Sequence, residues 1–82
     1  MIVLDGRALT TRAEAYAYLR EELALPAFFG DNLDALYDAL TDWPDAQDVA
    51  LAYYDEKNAL HRALYGVLRD AAAERGFAAY RL

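Results

Sequence analysis

The chain has no cysteine and no serine, one histidine, two prolines and four glycines in 82 residues. Without cysteine it can hold neither a disulfide framework nor a thiolate zinc site, and the composition suits a reducing compartment. With serine and cysteine both missing, the hydroxyl nucleophiles are Thr10, Thr11 and Thr41, and Thr11 is better explained as a helix cap, so covalent catalysis has little to work with. No stretch approaches membrane-spanning length, and Met1 to Asp5 is not a basic segment leading into a long apolar run. A soluble, cytoplasmic protein is the expectation. The sharpest absence is of positive charge, because no Lys or Arg occurs from Glu21 to Glu56.

That same stretch holds ten acids, so the net charge of −6 combines −10 there with +4 over the rest of the chain. So sharp a split suggests a surface made to meet a basic partner. It also argues against nucleic acid as a direct ligand, since phosphate binding needs a positive face. Of the apolar residues, 18 are Ala and 7 are Tyr, which leaves 22 large aliphatic, Met, Phe or Trp side chains. These suffice for one modest core within a single domain over 1–82, with no room for a deep second cavity.

Strand and helix patterns alternate without linker or repeat. Ile2 to Leu4 reads as a buried strand closed by the Asp5-Gly6 turn, and Val49 to Tyr53 and Phe77 to Leu82 read as two more. Thr11 with Glu14 matches a capping box that opens a helix ending near Leu25-Pro26. A second helix is capped by Asp31 or Asn32, runs to about Asp42 or Trp43 and is stopped by Pro44. A third runs from about Glu56 to Arg75, with Gly76 as its C-terminal cap. Helices between strands imply crossovers, hence an α/β fold: a small three-stranded parallel sheet carrying three to four helices, with the first strand expected at its centre.

The second helix carries the chemistry. At about 100° per residue, with Asp31 at roughly 0°, Asp38 falls near −20°, Asp42 near +20° and Asp34 near −60°. Leu33, Leu36 and Leu40 fall at about 140° to 200°, opposite the acids, while Thr41 and Tyr37 edge the ridge at about −80° and −120°. Outward charge on an amphipathic helix is usually only solvation. Here it is expensive: Asp is a poor helix former, and Asp34/Asp38 and Asp38/Asp42 are like charges at i,i+4, each costing about 0.2–0.5 kcal/mol. Asp38 and Asp42 also lie toward the negative end of the helix dipole. Local cost without local gain points to a binding surface.

The residues from Glu22 to Trp43 follow the pattern ELALPxxxGxNLDALxDxLTxW. This pattern closely resembles the signature of the barstar family, intracellular inhibitors of the ribonuclease barnase. The match is contiguous over about a quarter of the chain, and the order of strands and helices on either side agrees. The resemblance implies that the helix matching positions 32 to 43 plugs a nuclease active site. On it Asp38 matches the aspartate that occupies the place of a substrate phosphate, and Asp34 matches a second inhibitory aspartate. Tyr37 stands in for an interface Trp, Phe28 for a Tyr in the preceding loop, and Asp70 for an interface Glu if one residue is inserted before Gly76. Departures from the family lie in these three substitutions and in a shorter segment between strand two and the last helix, where one family helix is lost or merged. Barstar with barnase is itself a reference case of electrostatically steered association, so that picture is carried over with the resemblance.

The partner-binding candidates are therefore Asp38, Asp34, Tyr37, Phe28, Thr41, Asp31, Asp42 and Asp70. The expected role is inhibition of a basic ribonuclease, with an acidic module for another basic protein as the alternative. No catalytic residue, metal or cofactor is expected: carboxylates on one convex helix face lack a cleft to shift their pKa values and cannot wrap a cation. The lone His61 is expected at the surface or on a helix flank, Trp43 in packing, and Tyr53 and Tyr54 as candidates to lie beside the ridge. A monomer is expected in isolation, since the ridge would repel a copy of itself.

Overall fold

The computed structural model describes residues 1–26 and 30–82. Strand β1 (Ile2–Asp5) leads through a short 3-10 turn, Gly6–Ala8, to helix α1 (Arg12–Glu22) and helix α2 (Leu33–Thr41). Strand β2 (Val49–Ala52), helix α3 (Ala59–Arg75) and strand β3 (Ala79–Arg81) complete the order. All pairings are parallel and the sheet order is β1-β2-β3. The three-stranded parallel α/β architecture is as expected, with three α-helices among the described residues, but the central strand is β2 and not β1. In sequence the two strands are equally apolar, so nothing in their composition ranks them. In the fold Val49, Ala50 and Leu51 on the central strand are all buried, whereas Val3 on the edge strand β1 is 56% exposed.

Stepping one way through the sheet with crossovers of one hand keeps the helices on one face. The register agrees. Leu4 pairs with Leu51, both fully buried, while Val3, Ala50 and Tyr80 align across the other face, with Val3 and Tyr80 exposed. Gly6 sits where β1 leaves the sheet, and a Cβ there would lie 2.6 Å from the Tyr53 carbonyl oxygen and 2.7 Å from that of Ala52. That approach admits only glycine.

The caps show where each helix boundary departs from expectation. Thr11 accepts from the Glu14 N–H at 3.2 Å, but the Glu14 carboxylate takes the Thr10 hydroxyl at 2.6 Å, so the reciprocal half of the capping box is replaced. Helix α1 stops at Glu22, earlier than Leu25-Pro26, because Ala24 enters the left-handed region at φ 52°. The Leu25 N–H then donates to the Arg20 carbonyl and the Ala24 N–H to that of Glu21, the paired bonds of a Schellman ending built on alanine. Helix α3 starts at Ala59, later than Glu56, because Asn58 supplies the cap, accepting from the N–H groups of Leu60 and His61 at 2.9 and 3.2 Å. Gly76 ends α3 with φ 94°.

His61 is buried, 5% exposed, which corrects the expected surface placement. Its Nδ1 accepts the Asp55 N–H at 3.0 Å, so the ring satisfies a backbone donor in the turn that joins β2 to α3. Trp43 is in packing as expected, 3% exposed with its ring edge-on to Phe77.

Gly6→Ala should lower unfolding stability by about 1–3 kcal/mol through overpacking. Gly66→Ala, in open space on α3, should raise it by about 0.5–1 kcal/mol. Urea titration of both variants checks the pair. Ala24→Gly should also stabilise, by about 0.5–1 kcal/mol, because the left-handed conformation then has no Cβ to crowd.

Candidate functional site

Helix α2 owes its orientation to its apolar face. Leu36 and Leu40 are fully buried, and Leu33, Tyr37 and Ala39 pack partly buried against the core. Asn32 is the N-cap, its side chain accepting the Ala35 N–H at 2.8 Å, so of the two cap candidates the amide is used. That leaves Asp34, Asp38 and Asp42 exposed on the opposite face. Asp42 is the C-cap, its N–H donating to the Asp38 carbonyl at 3.1 Å.

Local structure divides the acids of the basic-free stretch by what each does. Asp31 lies before the helix and pairs with Arg20 from α1, so it belongs to the joint between the helices as much as to the ridge. Asp48 accepts the Ala78 N–H at 2.9 Å, tying the lead into β2 to the lead into β3, and Asp55 accepts the Lys57 N–H at 3.0 Å in the turn after β2. Among the described residues the carboxylates of Asp34, Asp38 and Asp42 accept no hydrogen bond and have no ion-pair partner. Their charge is left for something else.

The remaining candidates are placed as follows. The Thr41 hydroxyl donates to the Asp38 carbonyl at 3.0 Å, so it stiffens the last turn and offers an outside partner only its lone pairs. Tyr37 is half-buried at the edge of the same face. Asp70 is exposed on α3, about 165° around the helix from its buried stripe, and among the described residues no hydrogen bond or ion pair joins it to α2. Phe28 lies outside the described residues. Tyr53 carries the Arg7 guanidinium 3.9 Å above its ring, and Tyr54 packs against Tyr65 at 5.4 Å, with Arg81 over both Tyr54 and Tyr65. These contacts belong to the strand ends and α3, with none to α2. Asp5, bound to the same Arg7 through side-chain and backbone hydrogen bonds, is held below its ordinary carboxylate pKa.

Sequence reasoning missed a groove of about 540 Å³ on one flank of the ridge, lined by Ala24, Leu25, Pro26, Ala35, Asp38, Ala39, Asp42, Trp43 and Pro44. Its signal was present in the small residues Ala35 and Ala39, four apart and next to the acids in projection, which leave space where larger side chains would fill it. Among the described residues no group of three or more potential ligands is placed to hold a metal ion, and no helix is long and apolar enough to cross a membrane.

Fold and surface together define a small parallel α/β domain whose candidate site is the outward face of a short acidic helix. The chain belongs to the barstar family, whose model, described as "Barstar (barnase inhibitor)", matches residues 1–80. It is also similar to a Bacillus subtilis (strain 168) protein named "Putative ribonuclease inhibitor YrdF", 41% identical over 44 residues that are 54% of this chain. The match spans about half, 48%, of that relative's length.

Asp38→Lys removes two like-charge pairs, creates two opposite ones and suits the helix dipole, so it should raise stability by about 0.5–1 kcal/mol. Asp31→Asn should lower it by no more than about 1 kcal/mol, as for an exposed ion pair. Thermal or urea unfolding of the two variants measures whether the ridge is maintained at a cost to the fold.

Proposed function

We propose that this chain, as one domain over 1–82, is an intracellular protein inhibitor of a ribonuclease and blocks the enzyme's active site with the outward face of α2. The observation that carries the reading is the row of carboxylates at Asp34, Asp38 and Asp42 that no cation of the described residues neutralises. A nuclease that cleaves phosphodiesters surrounds its reacting groups with Arg and Lys, and carboxylates on a rigid helix can satisfy those cations as the substrate phosphates do. Membership of the barstar family and the name of the Bacillus relative support the same reading.

Roles follow from position. Asp38, central on the exposed face, takes the place of a phosphate, with Asp34 one turn before it as the second mimic. Tyr37 and Thr41 flank them and shield the contact from water, which strengthens each charge pair. Asp42 extends the charged face, Asp31 acts mainly through its pair with Arg20, and Phe28 and Asp70 supply outer contacts. The uncompensated charge speeds encounter with a basic partner and keeps copies of the chain apart, while Asp38, desolvated in the complex, sets the dissociation rate.

Affinity capture from the source cell at low and high salt, followed by an RNA-cleavage assay on what is retained, tests the reading. A small basic nuclease inhibited at one-to-one stoichiometry supports it, whereas a basic protein without nuclease activity overturns it in favour of a docking module. With the nuclease in hand, Asp38→Ala should weaken inhibition by at least about 2 kcal/mol, roughly thirtyfold, the general threshold of an interface hot spot. A loss below about threefold would remove Asp38 from the centre of the interface.

A further inference from the structure

Arg20 holds the segment between α1 and α2 at both of its ends. Its carbonyl accepts the Leu25 N–H at 2.9 Å, the wider bond of the Schellman ending of α1. Its guanidinium binds the Asp31 carboxylate, eleven residues further along the chain. The next residue, Asn32, accepts the Ala35 N–H on its side chain at 2.8 Å and the Leu36 N–H on its carbonyl at 3.0 Å, so one peptide unit separates the clamp from the first turn of α2. The Arg20 side chain is 26% exposed and its Nε is fully buried, which seats the stem of the clamp in the joint between the helices.

By charge alone this residue is misplaced. It is the last cation before the basic-free stretch, and toward a basic partner it is repulsive and also neutralises Asp31. Replacing it by Gln removes one positive charge, takes the net charge from −6 to −7 and releases the Asp31 carboxylate. We propose that Arg20 is a positioning residue for docking at α2: it fixes where that helix begins relative to α1, and this preorganisation outweighs the charge it takes from the acidic face. The proposal rests on the reading that a basic protein docks on α2, and adds that a cation of the inhibitor strengthens the contact without touching the partner. Two physical arguments support it. A partly exposed ion pair contributes little to global stability, so the gain from keeping a cation here lies elsewhere than in the fold. A helix of nine residues does not order its own first turn. A face already ordered loses less conformational freedom on association, and among related complexes such gains appear mainly as slower dissociation.

Amide hydrogen exchange of the free full chain tests the clamp without any partner. In Arg20→Gln the amides of Ala35 and Leu36 should exchange at least about threefold faster, while those of Leu64 and Leu68 in α3 stay unchanged. Arg20→Lys should stay close to the unsubstituted chain, because an ammonium can make the same single contact with Asp31. Binding kinetics with the basic protein retained by affinity capture then read the sign. Arg20→Gln should dissociate at least about fivefold faster, more than offsetting any gain in association rate, and Arg20→Lys should restore most of the loss. The double variant Arg20→Gln, Asp31→Asn should dissociate no faster than Arg20→Gln alone, since the two side chains act as one unit. Unchanged exchange at Ala35 and Leu36 overturns the clamp, and an equal rise at Leu64 and Leu68 reduces Arg20 to general stability and overturns its positioning role. Tighter binding by Arg20→Gln overturns the proposal in favour of charge alone. A captured protein without nuclease activity defeats the inhibitor reading and leaves both measurements in force, so the two readings fail separately.

Discussion

Burial of Leu36 and Leu40 is the interaction on which the rest of the structure depends. Helix α2 is nine residues long, shorter than the roughly 12–15 residues at which an isolated helix becomes marginal in water. It also carries two like-charge pairs and acids at the wrong end of its dipole, which oppose it by about 0.2–0.5 kcal/mol per pair. Two fully buried leucines, each contributing about 1.5–3 kcal/mol, outweigh that several times over. A helix held by its core face can present an outward face that its own chemistry would not choose. Rigid positions for Asp34, Asp38 and Asp42 follow from the same burial.

The supporting contacts around α2 repeat this arrangement on a smaller scale. Asn32 fixes the first turn, the Thr41 hydroxyl ties down the last, and Arg20 clamps Asp31 just before the helix. Ala24 holds a left-handed backbone that glycine would adopt with less crowding, and the residue it sets in place, Pro26, lines the groove. Backbone strain next to a candidate site and uncompensated charge on it are two local costs in one small region. Backbone strain of the same kind also occurs at Tyr53, φ 55°, just after β2, so the uncompensated charge is what sets the α2 region apart.

Much of this was legible in the sequence, and the residues that resisted have physical reasons. Strands and helices announced themselves through apolar spacing, and the leucine stripe opposite the aspartates gave the ridge from projection alone. Strand order did not, because Ile2-Val3-Leu4 and Val49-Ala50-Leu51 are alike and only the directions of the crossovers place one at the centre. His61 was misplaced although its spacing, three before Leu64 and seven before Leu68, puts it on the buried stripe of α3; what the sequence does not show is the Asp55 N–H that its ring accepts there. Asp31 projected onto the ridge, but capping by Asn32 put it outside the helix and within reach of Arg20. The groove needed two segments, Ala24 to Pro26 and α2, brought together by the core, and a one-dimensional pattern reads only one segment at a time.

The central claim is that α2 occupies the place of the RNA phosphates on a nuclease. Equilibrated steady-state inhibition of the captured nuclease at several RNA concentrations, with free inhibitor in excess over enzyme so that stoichiometric depletion does not mimic a loss of kcat, tests this most directly. The account predicts a competitive pattern, in which the apparent KM rises with inhibitor while kcat stays constant, since inhibitor and substrate claim the same cations. A noncompetitive pattern, with kcat falling and KM unchanged, would mean that the carboxylates of Asp34 and Asp38 bind elsewhere, and would contradict it.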